Sequence, residues 1–290
     1  MKDIIVWLRK LEDLAGDLYT AASEHFSSDA EFSAFLSNLA REEAWHFHLM
    51  NSAMHLFVNA EDFPLPAIKI DDEMKQRVEK PLHSCRQQLE TAGIARGEFL
   101  RCLAQTEFSE WNDLVLYVIR ICQKRHKAFQ KIASAIQGHK KHIEAFLQKI
   151  PDGQEPLMEM QKLPKVWDSR YLVIDDEPAT VELLSLLLQK DGEVISAPNG
   201  KEALDLIATN FFDVIISDVN MPVMTGIELF ELATKLDESL GKRFILTTGN
   251  VTQKVSQFCR QHHLNLLPKP YSLFELKQLI AKITEKNARP

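Results

Sequence analysis

Tyr171-Leu172-Val173-Ile174-Asp175-Asp176 is the stretch on which the fold of the second half turns: four apolar residues end on two aspartates. Four more short runs follow it, Val194-Ile195, Val214-Ile215-Ile216, Phe244-Ile245-Leu246 and Leu264-Asn265-Leu266-Leu267, separated by helical patterns of ten to fifteen residues. Apolar strands alternating with helices predict a parallel sheet covered on both faces, an α/β domain of five units. Polar residues fall at the strand ends. Asp175 and Asp176 follow the first, Asp218 the third, Thr248 the fourth and Lys269 the fifth. In a parallel sheet all carboxyl ends open on one edge, where ligands bind. Three carboxylates, a hydroxyl and an ammonium are therefore expected in one crevice. Clustered carboxylates repel, and an oxygen-seeking dication such as Mg²⁺ relieves the repulsion. The lysine and threonine would face an anion beside the metal, an arrangement suited to phosphoryl transfer onto an aspartate.

Leu172 through Pro178, Ile216-Ser217-Asp218-Val219-Asn220-Met221-Pro222-Val223-Met224-Thr225-Gly226, Leu246-Thr247-Thr248-Gly249 and Pro268-Lys269-Pro270 resemble the receiver domain of bacterial response regulators, in motif order and spacing, over about residues 168–288. The resemblance implies a flavodoxin-like, doubly wound five-stranded parallel sheet. It implies Asp218 as phosphoacceptor, with Asp175, Asp176, Asp218 and the backbone carbonyl of Asn220 holding Mg²⁺. Thr248 would hydrogen-bond the phosphoryl group, in preference to Thr247 because the small Gly249 follows it, and Lys269 would pair with that group. Lys269-Pro270 is a candidate cis peptide. Leu266 departs from the pattern: it stands three residues before the lysine, where many receivers carry an aromatic that rotates on activation.

The first half has a different period. Residues 3–26, 29–58, 93–121 and 124–149 carry apolar stripes at three- and four-residue spacing: Leu8, Leu11, Ala15, Leu18 and Ala22; Leu36, Ala40, Phe47, Met50 and Met54; Leu100, Leu103, Leu114 and Val118; and Ile132, Ala135, Ile136, Ile143 and Phe146. These predict an all-α antiparallel four-helix bundle. The segment with Pro64, Pro66 and Pro81 around a helical run, Asp72 to Leu89, reads as its crossover. Pro151-Asp152-Gly153, then Pro156 and Pro164, mark a linker. The expected domains are 1–150, a linker at 151–168, and 169–290.

On the second helix Glu43 and His46 are three apart and share the apolar face, where a carboxylate and an imidazole are costly unless they pair or bind metal. Glu12 precedes Glu43 by 31 residues, and Glu107 precedes His139-x-x-His142 by 32. A glutamate followed by a paired motif thus occurs twice. With Tyr19 on the first helix, this is similar to ferritin-like bundles of the rubrerythrin type, which implies a di-iron or di-manganese centre. His139 stands where that family has a glutamate, so Glu12, Glu43, Glu107, His46, His139 and His142 would offer less negative charge, and a single metal or Zn²⁺ becomes an alternative to Fe or Mn. Glu42 and Glu110 are expected to face water, with Glu42 able to pair with His46.

Composition bounds these readings. The 290 residues suit two domains, and 45% hydrophobic with 26% charged content fits a globular chain. Net charge is −7, with neither half basic, which disfavours nucleic acid as a partner. No apolar run suits a membrane span, and the N-terminus lacks signal-peptide character, so the expectation is cytoplasmic. Cys85, Cys102, Cys122 and Cys259 have no C-x-x-C spacing and read as reduced, small apolar side chains. The leading expectation is a response regulator phosphorylated on Asp218 by a histidine kinase or phosphotransfer protein, with a homodimer as a compatible assembly. Its helical domain would be an output or a module sensing metal or oxidant. The alternatives are a di-iron oxidase or peroxidase gated by phosphorylation, and a docking scaffold with a vestigial metal site.

Overall fold

The computed structural model describes residues 2–57, 71–91, 93–110, 119, 123 and 127–288. The chain divides into two compact units between Val166 and Trp167.

The first unit is helical: α1 (Lys2–His25), α2 (Ala30–Phe57), α3 (Asp72–Thr91), α4 (Arg96–Glu110), α5 (Lys127–Leu147) and α6 (Gln154–Lys162). α1 and α2 form an antiparallel hairpin. The Ser23 hydroxyl meets those of Ser33 and Ser37 near the turn, and Arg9 donates to Asn51 at the far end. The stripe of α1 is buried along its whole length, from Leu8 to Ala22. Leu36, Leu39 and Met50 of α2, Leu100 and Leu103 of α4, and Ile132, Ile143 and Phe146 of α5 are also buried. The Phe35 ring stacks on Phe146 with centroids 3.8 Å apart. Pro64, Pro66, Met54, Glu110, Leu114, Val118 and residues 124–126 lie outside what is described of chain or side chain.

The stretch 151–168 differs from the expected linker. It carries a single 3₁₀ turn (Pro151–Gly153) and α6, and it ends by burying Leu157, Met160, Leu163 and Val166. Lys140 of α5 donates to the Leu163 carbonyl, and the Gln137 side chain accepts from the Val166 amide. The prolines break the helical period, but the apolar residues between them still have a face to cover, so residues 151–166 belong to the first unit and Trp167 and Asp168 to the second.

The second unit has the expected order of elements. β1 (Ser169–Ile174), β2 (Gly192–Ala197), β3 (Val214–Asp218), β4 (Phe244–Thr248) and β5 (Asn265–Pro268) form one parallel sheet in the order β2-β1-β3-β4-β5. The helices are α7 (Pro178–Leu188), α8 (Gly200–Thr209), α9 (Gly226–Leu236), α10 (Gln253–Gln261) and α11 (Leu273–Ala288). Alternate strand residues enter opposite layers. Leu172, Ile174, Ile215 and Leu246 pack with α8, α9 and α10, whereas Tyr171, Val173, Val214 and Ile216 pack with α7 and α11. Burial on both faces is why these strands read as continuous apolar runs.

The turn after β3 is set by Gly226. A Cβ there would lie 2.2 Å from the Asp218 carbonyl oxygen, and the Gly226 amide donates to Val219 O at 3.1 Å. Substitution would force the start of α9 away from the strand end that carries Asp218. Gly226→Ala should destabilise the second unit by about 1–3 kcal/mol, the usual cost of overpacking. Urea unfolding followed by a probe in that unit checks this, and an unchanged midpoint would refute the packing argument.

Candidate functional site

The strand ends of the second unit meet as the topology requires. β1 delivers Asp175, β3 delivers Asp218, β4 delivers Thr248 and β5 delivers Lys269 one residue past its end. The Lys269 ammonium donates to Asp175 Oδ2 at 2.7 Å and to Asp218 Oδ1 at 2.6 Å, spanning both carboxylates. Their other oxygens accept backbone amides: Glu177 N reaches Asp175 Oδ1 at 3.0 Å, and Asn220 N reaches Asp218 Oδ2 at 2.6 Å. Burial alone would lower the Lys269 pKa, but the bonds to Asp175 and Asp218 outweigh it and raise it. The Lys269-Pro270 peptide is cis. Lys269 N donates to Thr248 O at 2.7 Å, which joins β4 to the lysine-bearing turn.

Thr248 is fully buried, and its Oγ1 accepts from Asn220 Nδ2 at 3.3 Å. Thr247 is paired in register with Asp218 as a strand residue. Asp176 is exposed, one residue beyond Asp175. The structure therefore gathers Asp175, Asp218, Lys269 and, through Asn220, Thr248. The Asn220 side chain was not anticipated; only its carbonyl had been assigned a role.

The response regulator receiver domain profile matches residues 171–281. An uncharacterized 14.6 kDa protein from the sodA1 3′ region of Leptolyngbya boryana is 34% identical over 111 residues, 38% of this chain and 85% of that one. The chain belongs to the response regulator receiver family. A response regulator receiver protein of Anaeromyxobacter is 35% identical over 106 residues, 36% of this chain and 44% of that protein. The chain thus spans most of one curated relative and less than half of the next. Response regulator TrrA of Thermotoga maritima, solved with Mg²⁺ and beryllofluoride, is 32% identical over 40% of this chain and 98% of that one, with a TM-score of 0.36. Among the described residues no helix is long and apolar enough to cross a membrane.

The helical unit N-terminal to the receiver holds a second polar cluster inside an apolar core. Glu12 of α1, Glu42, Glu43 and His46 of α2, Glu107 of α4 and His139 of α5 are all buried. His46 Nδ1 lies 3.1 Å from Glu43 Oε2 and 3.3 Å from Glu12 Oε2. His139 Nε2 lies 2.9 Å from Glu43 Oε1 and 3.2 Å from Glu107 Oε1, while its Nδ1 is 2.8 Å from Glu42 Oε2. Tyr19 donates to Glu107 Oε1 at 2.6 Å. Glu12, Glu43 and His46 bring one ligand atom each within 4.8 Å of one another, and so do Glu43, Glu107 and His139. Glu43 is common to both groups. Glu12 Oε2, Glu43 Oε1 and Glu107 Oε2 are buried with no hydrogen bond, because the neighbours of the first two are close but poorly aligned.

Charge in this cluster is compensated by the imidazoles. Burial and then the Glu43 charge push the Glu12 carboxyl up to about 8. Burial disfavours charged His46, but the Glu43 charge outweighs it, and with the close Glu12 carboxylate raises the imidazole to about 10. His139 is likewise raised, the Glu43 and Glu107 charges overcoming burial. Burial would raise Glu42, yet its bonds to His139 and His142 hold it at about 2.

Two expectations change here. Glu42 does not face water: it is buried, and its two oxygens clamp His139 Nδ1 and His142 Nδ1, each at 2.8 Å. His142, partly exposed, stands outside both three-residue groups. The helix turns about 100° per residue, so adjacent Glu42 and Glu43 cannot share one narrow stripe; here the polar core is wide enough to take both. Glu42→Ala would strip the carboxylate from Nδ1 of both His139 and His142, and metal-free protein should lose about 3–5 kcal/mol of stability in the helical unit. Chemical unfolding in excess chelator measures the loss, and a change near zero would mean that Glu42 is not a buried counter-charge.

Proposed function

We propose that the chain is a two-component response regulator that takes a phosphoryl group on Asp218 from a histidine kinase or phosphotransfer protein. The observation that carries the reading is the Lys269 ammonium bonded at once to Asp175 and Asp218. Asp175, Asp176, Asp218 and the Asn220 carbonyl make an all-oxygen donor set, the chemistry that suits Mg²⁺. When bound there, Mg²⁺ would supply positive charge against the phosphoryl oxygens. An Asp218 carboxylate oxygen forms the new bond to phosphorus, and the donor's bond to phosphorus breaks. Lys269 pairs with the transferred group, and the Thr248 hydroxyl, which donates to the Asn250 carbonyl here, turns to donate to it. Leu266 is half-buried and packs against the sheet core, so Thr248 rather than a rotating aromatic carries the change. Asp218→Asn should abolish labelling by acetyl phosphate in the presence of Mg²⁺. Undiminished labelling would move the acceptor elsewhere.

For the helical unit we infer a ferritin-like centre that binds divalent metal ions and acts as output or as a module sensing metal or oxidant. Three buried carboxylate oxygens without hydrogen bonds, beside two imidazoles, support this over a docking scaffold. Glu12, Glu43 and His46 would hold one ion, and Glu43, Glu107 and His139 a second. His142 would serve with Glu42 to orient His139. The mixed oxygen and nitrogen donors suit Fe, Mn or Zn. Such ions would supply charge compensation and, for Fe or Mn, redox capacity. Full-length protein reconstituted with Fe²⁺, Mn²⁺ or Zn²⁺ and desalted should retain roughly two ions per chain, and Glu43→Gln, lacking the shared carboxylate charge, should retain few. Less than about half an equivalent with every metal would remove this reading.

A further inference from the structure

Two of the cysteines are brought together by the hairpin of α3 and α4. Gly93, with φ of 68°, lies in the short connection between them; this left-handed conformation favours glycine. Cys85 stands six residues before the end of α3 at Thr91, and Cys102 six residues after the start of α4 at Arg96. Residues equally far from such a turn face each other across an antiparallel pair. Side-chain contacts follow that register. The Cys102 thiol donates to Gln88 Oε1, one helical turn from Cys85 on α3, at 3.6 Å. Cys85 and Gln88 are three apart on α3 and so share the helix face that the Cys102 thiol meets. Cys85 is fully buried, while Cys102 is partly exposed beside the exposed Arg101.

We propose that Cys85 and Cys102 form a peroxide-reactive dithiol that closes to a reversible disulfide between α3 and α4. Cys102 is the attacking sulfur. It forms a bond to one peroxide oxygen, the O–O bond breaks, and Cys102 becomes a sulfenic acid. The displaced oxygen takes the proton that the Cys102 thiol gave up and leaves as water. The Cys85 sulfur then attacks the Cys102 sulfur; the S–S bond forms and the S–O bond breaks. The departing hydroxyl leaves with the Cys85 proton as a second water. Two thiols lose two electrons together, and one hydrogen peroxide is reduced to two waters. The asymmetry of the two sites fits these roles. The neighbouring Cys85 thiol lowers the Cys102 thiol against burial and the Glu98 charge, and the Arg101 charge adds a smaller push in the same direction. The Cys102 thiol in turn, and then burial, raise Cys85, which keeps it protonated until its partner is oxidised. Cys259, in the receiver, is buried and raised by burial, and has no such arrangement.

This inference does not depend on the metal reading, because neither sulfur belongs to the glutamate and histidine groups. The test uses the full-length reduced protein treated with hydrogen peroxide, then alkylated in denaturant and mapped by mass spectrometry. The expected result is the loss of two alkylatable thiols and recovery of a peptide joining Cys85 to Cys102, both reversed by dithiothreitol. Cys85→Ala should stop at the sulfenic acid, trapped on Cys102 by dimedone, and Cys102→Ala should leave Cys85 alkylatable. Cys122→Ser should keep the Cys85–Cys102 link. Full alkylation of both cysteines after peroxide, or a link from either to Cys122 instead, would overturn the proposal, whatever the protein's metal content.

Discussion

The ammonium of Lys269 holds together two carboxylates that would otherwise repel each other at the edge of the sheet. Asp175 and Asp218 sit on adjacent strands and are both nearly buried. Two such charges in a poorly hydrated crevice need a counter-charge. The parallel topology supplies it from β5, two strands away from β3, because every strand ends on the same side. The remaining carboxylate oxygens are met by the amides of Glu177 and Asn220. The loops after β1 and β3 are thereby tied to the charges they carry. The crevice depends on this balance, and so does its chemistry: a group bound in place of the bridge inherits oxygens already aimed at one point.

The helical unit solves the same problem with imidazoles. Four carboxylates from three helices are buried, and no lysine or arginine reaches them among the described contacts. His46 and His139 take that part, which is why burial fails to keep them neutral. His139 has carboxylates on both ring nitrogens, an arrangement only the doubly protonated ring satisfies in the metal-free state. The compensation is incomplete in hydrogen bonds, since three carboxylate oxygens have none. A core that served stability alone would gain by replacing these groups with apolar ones.

Much of this was legible in the sequence, for reasons of period. β-strands buried on both faces produce apolar runs, and their ends are marked by Asp175, Asp218, Thr248 and Lys269. On the second helix the stripe placed Glu43 and His46 on the apolar face, while Glu12 and Glu107 followed from their spacing to the paired motifs. His139 and His142 shared the apolar face of the last helix, but His142 is partly exposed. Glu42 escaped because a stripe describes one narrow face. Its side chain is buried only because two histidines from α5 come to it, and sequence spacing does not reveal which helices are neighbours. The same ignorance of neighbours hid the burial of Leu157, Met160, Leu163 and Val166 within the proline-broken segment 151–168. Asn220 was assigned by its backbone, and its side chain reaches Thr248 only once β3 and β4 lie side by side.

A histidine at residue 139 cannot bridge two ions as a glutamate can, which weighs against a two-metal centre. The geometry answers part of that objection. Glu43 lies in both three-residue groups, so on the proposed two-ion reading its carboxylate would be shared whatever stands at residue 139. Glu42 holds Nδ1 of His139 and so leaves Nε2 facing Glu43 and Glu107. A carboxylate behind a histidine fixes the ring and strengthens it as a ligand. On the proposed reading, the missing bridging glutamate would be met by a histidine with a carboxylate of its own. The inner charge is lower than in a centre with two bridging carboxylates, and part of the difference lies one residue further out, on Glu42.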